Sequence, residues 1–334
     1  MKQFFLFFIL IISSFVGYAQ DPHFSQFFAS PLTLNPALTG KFNGDYRIAG
    51  NYRNQWPTIN NAFITSTASI DFHILRDKIP VNDSWGVGFS FLNDNSANGA
   101  VKFNYASFST AYHKGLDEEG NNQLSIGLQG TYSNMLINTG NLKFEDQLTT
   151  LGFTGTTSEI FNNSTLQSSY FDLNAGVLFN GSTGSNNNYY AGVSMYHINK
   201  PSQKFTGTEY SLNSRFTIHA GGYYLLNPNL AFHGSGLISM QGKSSETVIG
   251  GAVELIPNPD ASNYVSFYAG TWLRLNDAFI PYVGLEFSSM RLGISYDVNT
   301  SSLKTASVSR GGLEISLIYS KQTNTDRPVA CPKF

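Results

Sequence analysis

The chain has 334 residues, of which 13% are charged, 14% are aromatic and 31 are glycine. Its mean hydropathy of −0.14 excludes a bundle of membrane-spanning helices, and its net charge of −2 argues against a nucleic-acid partner, which needs a basic surface. Sparse charge combined with many aromatic residues is typical of a transmembrane β-barrel, whose strands alternate apolar and polar side chains. A large soluble β-sandwich or propeller is the alternative.

The first 19 residues have the pattern of a secretory signal peptide. Lys2 precedes an apolar run over residues 4–16, and the small residues Gly17 and Ala19 stand at positions −3 and −1 of a cleavage site. The alternative is a membrane-anchor helix, but the run is short for a bilayer and polar residues follow at once. The sequence therefore predicts export, with Gln20 as the first residue of the mature chain.

Residues 20–43 are predicted to form an N-terminal periplasmic arm or plug. They begin with QDPHFSQFFASPLTLNPALTG, in which Phe24, Phe27 and Phe28 follow the i, i+3, i+4 spacing of a short amphipathic turn. Two prolines later in the stretch interrupt regular structure. Such a segment could cap or plug the lumen of a barrel, and a loose periplasmic arm is the alternative.

Residues 44–56, GDYRIAGNYRNQW, predict the first membrane-crossing strand. Successive side chains of a strand point to opposite sides, so residues two apart share a face. Tyr46 and Tyr52 then lie on one face, and Arg47 and Arg53 lie on the other. A strand of this length, tilted by about 40°, spans the ~25 Å apolar band of a barrel. We therefore expect the tyrosine face to contact lipid and the arginine face to line the lumen.

The same alternation recurs along the chain, and clusters of Gly, Asn, Asp and Pro separate the candidate strands as turns. The prediction is an all-β, transmembrane antiparallel β-barrel over residues 44–320, with about 14 strands and a range of 12–16. The longest gap, residues 138–168, is expected to be an extracellular loop after the fifth strand, and residues 181–187 a second extracellular loop. Residues 321–334 are predicted to form a C-terminal periplasmic tail.

The sequence shows no recognisable catalytic, cofactor or metal site. Its six histidines form no HExxH motif and no i, i+4 pair, so no metal or other cofactor is expected, and the chain is predicted not to be an enzyme. Charged residues on the polar strand faces are expected to hydrate the lumen and to pair there: Asp71, Asp172, Glu254, Glu286 and Glu314 with Arg47, Arg53, Lys102, Arg274 and Arg291. A general diffusion porin and a soluble secreted adhesin both stay open as functions.

Distinctive motifs stand near both ends of the mature chain. They are QDPHFSQF, PLTLNPALTG and YRNQW at one end, and RLGISYDVNTSSLKTAS, GGLEISLIY and RPVACPKF at the other. Together they resemble the PorP/SprF family of the type IX secretion system of Bacteroidetes. The residues predicted as site residues are the family-motif positions Asn35, Pro36, Tyr52, Arg53, Asn54, Gln55, Trp56, Cys331, Pro332 and Phe334. Cys331 taken alone is interpreted as a free thiol, whereas the resemblance suggests a tail held in a site.

The resemblance implies an outer-membrane β-barrel that serves type IX secretion and gliding motility. Such a barrel would bind a secreted adhesin by its C-terminal domain and retain it at the cell surface, or link the apparatus to the periplasmic side. The expected partners are therefore that secreted protein, a periplasmic secretion ring or peptidoglycan-binding protein, and outer-membrane lipid, with no nucleic acid. A general diffusion porin of the outer membrane is the alternative.

Overall fold

The computed structural model describes residues 20–59, 62–161, 163–183, 187–205, 208–259 and 265–321. Two predictions fall outside these ranges: the signal peptide at residues 1–19, and the end of the tail with Cys331, Pro332 and Phe334. Within the described part of the chain, no helix is long and apolar enough to cross a bilayer. The described ranges include the complete circumference of one β-barrel.

Fourteen antiparallel strands close into this barrel, which confirms the predicted fold class and strand number. The first barrel strand closes the circle by pairing with the last, from Tyr46↔Lys321 to Gln55↔Gly312. In chain order the strands are β1 (Tyr46–Gln55), β2 (Phe63–Ile74), β3 (Ser84–Ser96), β4 (Val101–Gly115), β5 (Asn122–Asn138), β6 (Leu148–Thr149), β7 (Gly152–Phe153), β8 (Thr165–Thr183), β9 (Asn187–Tyr196), β10 (Ser202–Phe205), β11 (Thr208–Ser211), β12 (Arg215–Asn227), β13 (Leu230–Gln241), β14 (Ser244–Leu255), β15 (Val265–Arg274), β16 (Ala278–Phe287), β17 (Met290–Asn299) and β18 (Arg310–Lys321). The pairs β6–β7 and β10–β11 are separate hairpins within loops.

Strand β1 shows how the barrel wall separates two environments. Arg47 and Arg53 are only 6% and 1% exposed, whereas Ile48 and Tyr52 are 43% and 41% exposed. The same division holds around the barrel, where exposed strand positions carry Leu, Ile, Val and Phe and buried inward positions carry mainly polar and charged residues. The outer wall is therefore apolar and the lumen polar, which confirms the predicted faces of β1.

The connections between strands differ in length at the two ends of the barrel. Loops 139–164, 197–214 and 300–309 lie at one end, here called the long-loop end. The opposite end, here called the turn end, holds the start of β1, the end of β18 and turns as short as residues 228–229 and 288–289. Outer-membrane barrels carry long loops outside the cell and short turns in the periplasm.

The two loops that the sequence suggested as extracellular lie at opposite ends of the barrel. The end of β5 at Asn138 and the start of β8 at Thr165 lie at the long-loop end, but β8 then crosses the barrel once. The end of β8 at Thr183 and the start of β9 at Asn187 therefore lie at the turn end. The prediction is therefore wrong for residues 181–187, because a single antiparallel strand always carries the chain from one rim to the other. The second large loop at the long-loop end is loop 197–214, which contains the β10–β11 hairpin.

Residues 20–43, here called the luminal segment, lie inside the barrel. Their Phe, Leu and Ala side chains are all at most 9% exposed. The segment folds into three short helical turns, Phe27–Ala29, Pro31–Leu34 and Pro36–Leu38, with no strand. These turns contact inward faces on several sides of the barrel, among them those of β1, β4, β5, β8 and β18. The luminal segment therefore fills space that the strands enclose.

A charge placed on the outer wall tests whether that wall faces lipid. Leu128 on β5 is 59% exposed, and Leu151 in loop 139–164 is 85% exposed. We expect Leu128→Arg to lower the free energy of unfolding in lipid vesicles by about 2–4 kcal/mol, because an arginine near the bilayer midplane is costly. Leu151→Arg is the matched control, with an expected change within about 0.5 kcal/mol. Equally small changes for both variants would contradict a lipid-facing wall.

Candidate functional site

The luminal segment forms turns because its prolines and one asparagine determine its backbone. Pro31 starts one helical turn, where its missing N–H leaves no hydrogen bond unmade. Asn35 starts the next turn, and its Oδ1 accepts a hydrogen bond from the N–H of Ala37 at 2.8 Å. The same side chain donates through Nδ2 to the carbonyls of Val177 and Val193, both at 3.2 Å. Asn35 thus shapes the segment and attaches it to β8 and β9.

Inward-facing glycines let the backbone of the luminal segment lie directly on the barrel wall. A Cβ atom at Gly127 on β5 would overlap the backbone of Pro36 and Ala37, and one at Gly86 on β3 would overlap the backbone of Thr39. Only glycine allows two backbones to approach so closely. On this side of the lumen, the backbone of the segment therefore packs directly against the backbone of the barrel wall.

Aromatic side chains hold the segment on the opposite wall. Phe28 packs against Trp272 with ring centroids 4.9 Å apart and against Tyr282 at 5.6 Å. Trp272 and Tyr282 also pack edge-on against each other at 5.5 Å. Each such ring pair contributes about 0.5–1.5 kcal/mol beyond the burial of its surface. The luminal segment therefore packs against two opposite walls of the lumen.

An ion pair near the turn end binds the last part of the segment. Arg47 Nη2 lies 2.8 Å from Asp71 Oδ2, and the same carboxylate oxygen accepts the N–H of Gly40 at 2.7 Å. Arg47 also donates to the carbonyl of Leu38 at 3.0 Å. Buried charges are tolerated when they are paired and hydrogen-bonded. The luminal segment therefore forms additional hydrogen bonds with both members of this buried ion pair.

A second charged cluster holds the segment in the long-loop half of the lumen. Glu314 accepts the backbone N–H groups of Ser25 and Gln26 at 2.8 and 3.0 Å. The hydroxyl of Ser25 donates to Asp297 at 2.7 Å, and Arg53 lies 3.0 Å from the same carboxylate. Barrel charges and segment backbone thus satisfy each other here, as they do near the turn end.

The start of the luminal segment is clamped to the long-loop end. His197, the first residue of loop 197–214, lies 2.8 Å from Asp21 through Nε2 and 2.9 Å from Asp172 through Nδ1. Arg215 lies 3.4 Å from Asp21, and the Gln241 side chain donates a hydrogen bond to the Asp21 carboxylate at 2.9 Å. The segment therefore runs from the long-loop end at Asp21 to the neighbourhood of the turn end.

The clamp is charged on both sides at neutral pH. Burial alone would lower the pKa of His197, but the carboxylates of Asp21 and Asp172 raise it to about 9. Burial alone would raise the pKa of Asp21, but Arg215 and His197 hold it well below its ordinary value. Imidazolium and carboxylate therefore attract each other in the native protein.

The family-motif positions are divided between the lumen, the outer wall and the rim. Asn35 and Pro36 belong to the luminal segment, and Arg53 donates to the carbonyl of His23 in that segment at 2.7 Å. The outward or rim positions of the motif are Tyr52, Asn54, Gln55 and Trp56. Cys331, Pro332 and Phe334 lie outside the described residues. The assignment of these ten positions as site residues therefore stays a prediction.

The predicted pairing of luminal charges is partly right. Arg47 pairs with Asp71, and Arg291 with Glu286 at 2.6 Å. Lys102 is exposed, because the odd-numbered residues of β4 are the ones that face inward, so its predicted place in the lumen is wrong.

Three residues that fix the position of the luminal segment, Asp21, His197 and Asp297, were not predicted from the sequence. Asp297 pairs with both Arg53 and Arg274, at 3.0 and 2.9 Å, and alternation along β17 could have placed it on the inward face. The ion pair between Asp21 and His197 joins a segment without periodicity to a loop, so no sequence signal connects the two residues.

A closed barrel with an apolar outer wall and a polar lumen defines the class of this protein as an outer-membrane β-barrel. The sequence model of the type IX secretion system membrane protein PorP/SprF matches residues 16–319. The chain therefore belongs to the PorP/SprF family, which confirms the suspected resemblance. It is an outer-membrane component of type IX secretion, a role that implies contact with other components of that machinery.

Solved structures of other barrels are similar to this chain at low sequence identity. The toluene transporter TodX of Pseudomonas putida is 9% identical, with a TM-score of 0.51 over 92% of this chain and 96% of that chain. The toluene transporter TbuX of Ralstonia pickettii is 9% identical, with a TM-score of 0.49 over 89% and 94%. At this identity the likeness to TodX shows the barrel fold alone. No curated protein matches the chain.

A side chain at Gly127 tests whether the luminal segment closes the barrel. We expect Gly127→Leu to displace the backbone of Pro36 and Ala37 from the barrel wall. Single-channel conductance in planar bilayers should then rise by about tenfold or more over the wild type, because inward side chains alone do not fill the lumen of a fourteen-stranded barrel. Gly130→Leu, on the outward face of the same strand, is the matched control and should leave conductance unchanged.

If Gly127→Leu does not fold, a variant without residues 20–43 provides a second test of whether the luminal segment closes the barrel. Its conductance should be at least as large as that of Gly127→Leu. Equal conductance of the wild type and the shortened chain would show that the luminal segment does not close the barrel.

Alkaline pH is expected to loosen the start of the luminal segment. The pKa of His197 is raised from 6.5 to about 9, so its stabilising contribution is complete below pH 6.5 and is lost as the pH rises through about 9. A spin label at Gln20→Cys, in a Cys331→Ser background, should become mobile with a midpoint near that pKa. In His197→Gln the label should be mobile at every pH, and a transition that survives in this variant would refute the clamp.

Proposed function

We propose that this chain is a closed, non-enzymatic receptor that binds the C-terminal domain of a secreted adhesin at its long-loop end and retains it at the cell surface. The observation that carries this proposal is the luminal segment. A barrel filled by its own chain offers a platform for binding and no open route for solutes. Membership in a type IX secretion family supports a partner that belongs to that secretion system.

A general diffusion porin is the competing function. Such a channel needs a continuous water-filled lumen, whereas the luminal segment leaves cavities of about 60 Å³ beside its first residues. Its backbone lies against Gly86 and Gly127 on one wall, and Phe28 fills space beside Trp272 on the other. This packing disfavours the porin, and the apolar outer wall disfavours a soluble secreted adhesin.

The long-loop end provides exposed side chains suited to binding a folded domain. Leu151 and Ile160 in loop 139–164 are 85% and 89% exposed, and Tyr210 in the β10–β11 hairpin is 48% exposed. Function commonly resides in loops that a rigid scaffold positions. Aromatic and aliphatic side chains are also the usual anchors of protein interfaces. We therefore assign the adhesin-binding surface to loops 139–164 and 197–214.

The turn end is the proposed periplasmic face. Strand β18 ends there at Lys321, the last residue that the structure describes. A periplasmic secretion ring or a peptidoglycan-binding protein would contact this face, which is how the chain would contribute to gliding motility. The adhesin and the periplasmic partners would then bind to opposite ends of one rigid barrel.

Crosslinking and purification from native outer membrane test the receptor role. We expect the tagged chain to hold a secreted protein with a type IX C-terminal domain, identified by mass spectrometry. Replacing residues 145–160 and 198–213 together with Gly-Ser linkers of equal length should abolish this retention while the barrel still inserts. The control replaces residues 117–120 at the turn end and should retain the secreted protein.

Two results would contradict the receptor role. One is a wild-type chain that retains no secreted protein after crosslinking. The other is a variant without both loops that retains as much as the wild type. A large, steady current from the wild-type chain in planar bilayers would favour the porin instead.

A further inference from the structure

Two cavities flank the first residues of the luminal segment in the long-loop half of the barrel. The first cavity, of about 60 Å³, lies beside Leu237 and Glu246. The second cavity has the same volume and lies beside Ser90 and Asp172. Both are lined by Asp21, Pro22, Thr33 and Arg215, so the start of the luminal segment forms the wall between them. A space of this size holds a few water molecules or the end of one side chain.

The second cavity contains a buried carboxylate whose hydrogen bonding is incomplete. Asp172 is 2% exposed, and its Oδ1 has no hydrogen-bond partner among the described residues. Its other oxygen lies 2.9 Å from His197. A buried acceptor without a partner costs about 1–3 kcal/mol, so such groups are normally satisfied by the protein, by water or by a ligand.

A buried donor in the same cavity is also incomplete. Arg215 donates through Nη2 to the carbonyl of Thr33 at 3.3 Å and lies 3.4 Å from Asp21, but its Nε has no hydrogen-bond partner within the described ranges. Its guanidinium is held over the ring of Tyr196 at 4.2 Å from the centroid. Asp172 and Arg215, which both line this cavity, thus keep one acceptor and one donor without a partner among the described residues.

The charges around the cavity cancel. Asp21 and Asp172 supply two carboxylates, and His197 and Arg215 supply two cations that lie against them. A charged ligand would meet one like charge for each opposite charge, and its desolvation would not be repaid. A neutral group with both a donor and an acceptor fits this environment better. Peptide groups and the carboxamides of Asn and Gln have that chemistry.

We propose that the second cavity is a subsite for an amide group of the secreted partner, either a peptide group or an Asn or Gln side chain, inserted from the long-loop end. The amide N–H donates to Asp172, and its carbonyl accepts from Arg215. The occupant also contacts Asp21 and Pro22, so the partner touches the start of the luminal segment directly. This inference rests on the proposed receptor function and adds the chemistry by which the partner is recognised.

Filling the cavity tests the subsite without changing its charges. Ser90 on β3 lines the second cavity and is 6% exposed. The secreted C-terminal domain that is retained by the wild-type chain is purified and titrated against full-length chain in lipid nanodiscs. We expect Ser90→Phe to weaken its binding by about tenfold or more, and Ser90→Ala, which leaves the space open, to bind within about twofold of the wild type.

A second variant that fills the cavity keeps the test decisive if Ser90→Phe does not insert. Ser107 on β4 lines the same cavity, and Ser107→Leu should weaken binding as Ser90→Phe does.

The outcomes separate this inference from the proposed function. Wild-type affinity of both filled variants would overturn the subsite while leaving the receptor role intact. A wild-type chain that holds no secreted domain at all would overturn the receptor role itself.

Discussion

Hydrocarbon offers no hydrogen-bond partners, and this constraint determines the architecture of the chain. Every backbone N–H and C=O within the bilayer must pair with a neighbouring strand, so the sheet closes where β1 meets β18. Closure places one face of each strand in lipid and the other in an enclosed lumen. Inward side chains fill the interior of an eight-stranded barrel, whereas about sixteen strands leave an aqueous channel. A fourteen-stranded lumen therefore stays wet unless other protein fills it.

The luminal segment fills this space with a backbone that suits a charged interior. Its short turns leave N–H and C=O groups free of secondary structure, and the inward charges bind them. Glu314 accepts from Ser25 and Gln26, and Arg53 donates to the carbonyl of His23. A regular helix would satisfy its own backbone and leave such charges without partners. The irregular, proline-containing sequence of the segment and the charges of the barrel wall are therefore two parts of one arrangement.

Alternation along single strands made much of the fold predictable, because lipid enforces a period of two over each whole strand. It predicted which face of β1 is apolar, and it predicted that Arg47 and Asp71 both face the lumen. The luminal segment has no such period, so neither its direction nor its contact with His197 could be predicted. Gly127 lies on the inward face of β5, but alternation along the strand says nothing of the backbone that lies against it. Strand counting was also needed to assign loops to an end, and there the prediction for residues 181–187 was wrong.

Amide hydrogen exchange of the full chain in lipid nanodiscs measures most directly whether the luminal segment is packed inside the barrel. The N–H groups of Ser25 and Gln26 bind Glu314, and that of Gly40 binds Asp71. The account predicts that these amides exchange as slowly as those of β1, because solvent reaches them only when the barrel opens. Complete exchange of residues 24–40 within seconds, as in a loose periplasmic arm, would contradict it.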